Sequence, residues 1–179
     1  RFHDESRGAA IVGPMTQFPL LVEAQLSARE ILVVVEGPDA EGNPVLHYPG
    51  DFNVAVRGHR DIAYRQEVLD REGVSMQVVS LTTPGTHVET PEVAARLASL
   101  VNDEFKEAID ARGRHFTALA TLPLNDPTAS AKELERAMRQ LKLPGAMLFG
   151  NVNGVALSDP RFAPVYEVAN DLGAVLYIH

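Results

Sequence analysis

The residues best suited to chemistry lie just beyond short apolar runs. Thr82-Thr83-Pro84-Gly85-Thr86-His87 follows the run Met76–Leu81, and Pro123-Leu124-Asn125-Asp126 follows Phe116–Leu122. Gly150-Asn151-Val152-Asn153 follows Ala146–Phe149, and His179 follows Ala174–Ile178. A neutral imidazole at such a strand end can coordinate zinc or a similar divalent ion, with its ring fixed by the strand. It can equally cap a carbonyl or meet solvent. His87, inside a loop, carries the same two options. Asn151 and Asn153 can hydrogen-bond a substrate or shape their own loop. Asp126 and Asp159 each precede a proline, so helix capping suits them better than acid–base work. His3, His47, His59 and His115 read as ordinary surface or loop histidines. Glu92, Glu104, Glu107, Glu133, Glu135, Arg136 and Arg139 read as solvated helix faces.

Other chemistries lack their motifs. There is no GxGxxG after a strand, no GxxxxGK[ST] and no HExxH, and no elbow surrounds Ser80 or Ser99. The chain has no cysteine, which removes disulfides, thiolate ligands and cysteine nucleophiles. A transition-metal site must therefore draw on His, Asp, Glu or a modified Lys.

The elements that position these residues follow from periodicity. The four apolar runs are continuous rather than alternating, which predicts parallel strands buried on both faces. Between them lie segments of helical period. Thr90-Pro91-Glu92 supplies an N-cap, a first-turn proline and an acidic first turn for a helix reaching about Arg112. Asp126-Pro127 opens a second helix to about Leu141, and Asp159-Pro160 a third to about Leu172. Gly113, Gly145 and Gly173 act as stop signals after them. A further helix is expected from roughly His59 to Glu72. Residues 59–179 thus alternate helix and strand with units of about 30 residues. That rhythm suits half of an eight-stranded (β/α)8 barrel or a small doubly wound sheet. Ile31–Val35 and Val45–Tyr48 flank a turn-rich stretch and predict a β-hairpin, an insertion in the rhythm. Phe18–Arg29 is a weak helix.

Composition bounds the rest. A chain of 179 residues, 45% hydrophobic and 22% charged, suits one globular domain spanning 1–179. The net charge of -8 and scattered basic residues argue against nucleic acid as a partner. An acidic substrate would need a local basic group. No apolar stretch approaches the roughly 18 residues of a membrane span, and residues 1–8 lack a signal-peptide core, so a cytoplasmic location is expected.

The ordered set LDREGVSMQVVSL with TTPGTH, LVNDEF, FTALATLPLND, GAMLFGNVNGVALSDP and LYIH resembles the amidohydrolase-related family. More narrowly it is similar to the branch of aminocarboxymuconate-semialdehyde and resorcylate-type decarboxylases. The resemblance covers about residues 52–179. It implies a partial (β/α)8 TIM barrel and a metal-dependent enzyme, using zinc or manganese, that decarboxylates an aromatic or unsaturated carboxylic acid without oxidation. Hydrolysis within the same superfamily, or a noncatalytic fragment, are the alternatives. Of the family's metal ligands only the fifth-strand His carries over, as His179. Thr83, Pro84, His87, Asn151 and Arg57 are the implied substrate-binding residues. The family's first-strand HxH is absent, and the Pro after its fifth-strand His, the sixth-strand His and the late Asp would lie beyond 179. A chain cut at both ends is therefore expected, inactive alone and with exposed sheet edges. Where branch members acting on the acyclic muconate carry an Arg, this chain has Asn53, with Arg57 four residues on, which weighs against that substrate. Relatives suggest a homodimer.

Overall fold

A computed structural model of the chain describes residues 34–36, 39–48, 51–112 and 115–179. The weak helix expected at Phe18–Arg29 and the stop signal at Gly113 lie outside these residues. The chain divides into two compact units, Arg1–Glu72 and Gly73–His179.

In the first unit, β1 (Val34–Glu36), β2 (Val45–Tyr48) and β3 (Asp51–Val54) form an antiparallel meander. The β1–β2 pairing, Val34 opposite His47 and Glu36 opposite Val45, follows from the turn signals between them. Asp39 organises that turn by accepting from the amides of Glu41 and Asn43 at 2.9 and 2.8 Å, with Gly42 at a φ of 81°. The third strand was not anticipated. The helix expected over His59–Glu72 is two pieces, α1 (Arg57–Arg60) and α2 (Ile62–Arg71). Asp61 divides them because its carboxylate accepts from the Tyr64 amide at 2.9 Å, which caps α2 and holds its own backbone extended.

The second unit alternates strand and helix as the apolar runs predict. Its elements are β4 (Gln77–Val79), α3 (Pro91–Arg112), β5 (Phe116–Ala118), α4 (Pro127–Arg139), β6 (Gly145–Leu148), a short β7–β8 hairpin (Asn151–Val152 and Val155–Ala156), α5 (Ala163–Leu172) and β9 (Val175–Ile178). β4 pairs parallel with β5, and β6 with β9. Ala120, just past β5, bridges the two pairs by donating to Gly145 at 2.8 Å and accepting from Met147 at 3.0 Å. The order β4-β5-β6-β9 is sequential with a helix at each crossover, as in an arc of a barrel. Asp126 caps α4, accepting from the Ala129 amide at 3.0 Å, whereas the helix expected to run from Asp159 begins as a 3-10 turn (Pro160–Phe162) that Asp159 caps by accepting from the Arg161 amide at 3.0 Å, and α5 follows from Ala163.

Burial of the strands is only half as expected. Every residue of β6 is buried, and Ala118, Ala120 and Ala146 are wholly so. Val101, Leu134 and Val165 of the three helices are buried as well, with α3 packed on β5, α4 on β6 and α5 on α4. β4 and β9, by contrast, are exposed at Val78, Val175, Tyr177 and Ile178. Each of these strands has one strand neighbour among the described residues, so an apolar sequence there does not secure burial. The strand that ends at His179 is therefore not the buried strand its sequence predicts.

Candidate functional site

Parallel pairing puts the C-terminal ends of β4, β5, β6 and β9 at one end of the sheet, and the loops that follow are tied to one another there. The loop after β4 is the most deeply set. Thr86 is 2% exposed, and its hydroxyl donates to the Leu122 carbonyl beyond β5 at 3.3 Å. Asn125 donates back from its side chain to the Glu89 carbonyl at 2.6 Å. Asn153, from the turn after β7, donates to the His87 carbonyl at 2.8 Å. Three side-chain amides or hydroxyls thus hold three loops through backbone carbonyls, leaving each loop a defined shape.

His87 is buried at 6% exposure, with its ring 4.8 Å from that of Phe149 and tilted by 51°. Gly85 makes this packing feasible. It has a φ of 73°, and a Cβ there would stand 2.6 Å from the Phe149 ring and 3.0 Å from His87 Nδ1. Burial pushes the His87 imidazole below its ordinary pKa, which favours the neutral ring. Its Nδ1 has no hydrogen-bond partner among the described residues, and neither does Asn125 Oδ1. Buried polar atoms in that state are uncommon and are met by water, a ligand or an ion. Thr83 is exposed and Pro84 half-buried in the same loop, joined by a cis peptide bond.

Asn151 is exposed, and its side-chain oxygen accepts from the Gly154 amide at 3.2 Å. It shapes a two-residue hairpin in which Asn153 and Gly154 take φ values of 50° and 81°. An Asn-Gly pair between β-prone residues is a strong hairpin signal, and the structure forms that hairpin where the loop alone was expected. His179 continues the β6–β9 ladder, donating from its amide to the Leu148 carbonyl at 2.9 Å and accepting from Gly150 at 3.0 Å. Its side chain is exposed at the strand end, beside the start of the Asn151 turn. Arg57 lies in the first unit, 3.0 Å from the Asp61 carboxylate and 4.4 Å above the Tyr64 ring centre.

A supporting network escaped the sequence. Asn102 is fully buried on the apolar stripe of α3, and its side chain donates to the Thr121 carbonyl at 3.0 Å and accepts from the Thr121 amide at 2.8 Å. It acts as a strand partner for the chain leaving β5. The same amide donates to Glu133 at 2.7 Å, and Arg136 bridges Glu133 and Asp103 at 2.8 and 2.7 Å. Hydrogen bonding to Glu133 raises the Arg136 pKa further, so the guanidinium stays charged. Glu133 and Arg136 are therefore not a solvated face. The available signal was a polar residue at a helical spacing otherwise filled by Ala98, Val101 and Phe105.

No three His, Asp or Glu side chains converge among the described residues. These residues do not by themselves fit a closed set of metal ligands.

Comparison with known proteins adds a second line of observation. The family model described as amidohydrolase matches residues 42–179. The 2-amino-3-carboxymuconate-6-semialdehyde decarboxylase of Dictyostelium discoideum is 35% identical over 117 residues, covering 64% of this chain and 32% of that protein. The crystal structure of 5-carboxyvanillate decarboxylase from Sphingomonas paucimobilis superposes with a TM-score of 0.63 at 36% identity, over 65% of this chain and 35% of that one. A 5-carboxyvanillate decarboxylase from Novosphingobium aromaticivorans, with bound manganese and 3-methoxy-4-hydroxy-5-nitrobenzoic acid, gives 0.66 at 26% identity, over 69% and 36%. The chain spans about a third of the length of these relatives.

Proposed function

The chain belongs to the amidohydrolase family, and from that premise we propose that the complete protein is a metal-dependent nonoxidative decarboxylase of an aromatic or related unsaturated carboxylic acid. One observation carries this most directly. The loops after β4 and β6 and the His179 end of β9 share the C-terminal end of a parallel sheet, where barrel enzymes build their sites. The similarity to decarboxylases at 35% and 36% identity supports the choice of reaction.

In that reaction the bond between the ring carbon and the carboxylate breaks, and carbon dioxide leaves. The electron pair stays on the carbon, which takes up a proton. The roles proposed for this chain are binding and orientation. Thr83 and Pro84 form one wall, and Asn151 offers its exposed amide. His87 presents an imidazole nitrogen that has no hydrogen-bond partner among the described residues and is suited to a phenolic or carboxylate oxygen. Arg57 is the candidate cation for a carboxylate. His179 is proposed as one ligand of a divalent ion, zinc or manganese, the other ligands coming from outside the described residues. The manganese in the Novosphingobium relative supports a divalent ion. The β1–β3 meander is proposed as an insertion within a single barrel domain that includes both units.

The test is carbon dioxide release by the complete protein over a panel of hydroxybenzoates and methoxylated relatives, with metal content measured in parallel. The expected result is release from at least one acid, with His179→Ala lowering both metal content and kcat/KM, the latter by more than about a hundredfold. Hydrolysis of lactones or amides without carbon dioxide release would overturn the assignment in favour of a hydrolase.

A further inference from the structure

The Asn153–Gly154 pair does more than turn a hairpin, because Asn153 also holds the buried loop of His87. We propose that Asn153 is a site of spontaneous deamidation, guarded in the folded chain by its own contacts, and that its conversion releases the loop after β4. Asn153 is the one asparagine of this sequence that precedes a glycine. Both residues of the pair are exposed. A Cβ placed on Gly154 would meet nothing within 4 Å, so there is room beside its nitrogen for a ring to close. With no side chain on Gly154, its backbone nitrogen can reach the Asn153 side-chain carbonyl. That nitrogen bonds to Cγ, the Cγ–Nδ2 bond breaks, and ammonia leaves a five-membered succinimide. One water then opens the ring on either side, to aspartate or to isoaspartate.

Two contacts oppose this step in the folded state. The Gly154 N–H is engaged by Asn151 Oδ1 at 3.2 Å, and the Asn153 amide is held against the His87 carbonyl at 2.8 Å. Ring closure must break both, so its rate reports how often the hairpin opens. The product cannot restore the second contact. A carboxylate has no proton to donate to the His87 carbonyl, and two acceptors there repel. Isoaspartate also adds a backbone atom to a two-residue turn. The inference is independent of which substrate the protein takes.

Warm, mildly alkaline incubation of the chain, followed by peptide mass spectrometry, tests the chemistry. Conversion at Asn153, as mixed aspartate and isoaspartate, is expected to run several-fold faster than at exposed Asn170, and faster again in Asn151→Ala. Equal rates at Asn153 and Asn170 would overturn Asn153 as the favoured site, and a rate untouched by Asn151→Ala would overturn its guarding. Amide hydrogen exchange of Asn153→Asp tests the consequence. Faster exchange across residues 86–88 with α4 unchanged is expected, and unchanged exchange in that loop would overturn the release.

Discussion

Leu148 and Ile178 are register partners on neighbouring parallel strands, yet Leu148 is 1% exposed and Ile178 62%. The pair condenses a difference between the inner and outer strands of the sheet. β5 and β6 have strands on both sides and helices packed over them, so their apolar side chains leave water. β4 and β9 carry equally apolar sequences with a strand on one side only among the described residues, and Val78, Val175 and Tyr177 remain exposed. Apolar character decides that a segment becomes a strand. Neighbours decide what that strand buries. The candidate site divides differently. The loops after β4, β5 and β7 are tied by the side chains of Thr86, Asn125 and Asn153, whereas His179 is held by backbone pairing and a ring contact with Tyr177, with its side chain exposed.

The seam between inner and outer strands offers the most severe test. A Cβ on Gly145 would lie 1.9 Å from the Val175 carbonyl oxygen, a backbone atom that cannot step aside. Gly145→Val is expected to cost about 3 kcal/mol or more in urea unfolding, and to detach β9 from β6. A near-neutral result would mean that the seam is looser than its geometry. Next comes the register pair itself. Leu148→Ala should cost about 3 kcal/mol, and Ile178→Ala under about 1 kcal/mol, both by equilibrium denaturation. Equal costs would erase the distinction between inner and outer strands.

The smallest effect sharpens the contrast at the site. Burial holds the folded His87 pKa below its ordinary value of 6.5, so the unfolded chain takes up the proton first as pH falls. The stability from a neutral His87 is full above that value and is lost as pH drops through it toward the folded pKa. Unfolding measured between about pH 8 and pH 5 should therefore show an acid loss that is shallower in His87→Gln. Parallel profiles for the two proteins would show that His87 is not the group responsible.

Much of the second unit was legible in the residues. The four apolar runs became β4, β5, β6 and β9, and the caps at Asp126 and Asp159 stand where a following proline predicts. These features depend on interactions within a few residues, which spacing and residue type report directly. Asp61 broke an expected helix because its side chain competes for nearby amides, a contest that periodicity alone does not resolve. Asn102 was passed over as one polar residue in a helix, since its partners Thr121 and Glu133 are 19 and 31 residues away.

The residues alone were thus enough for the four parallel strands of the second unit, the helices between them, the Asp126 and Asp159 caps and the family. Packing across the fold settled which strands lie inside, that Glu133 is drawn under Arg136, and that the His87 ring is buried against Phe149 with its Nδ1 unmatched among the described residues. The reason is physical. Local conformation follows from each residue and its near neighbours, whereas burial and hydrogen-bond satisfaction follow from segments brought together across the fold, and no single stretch carries that information.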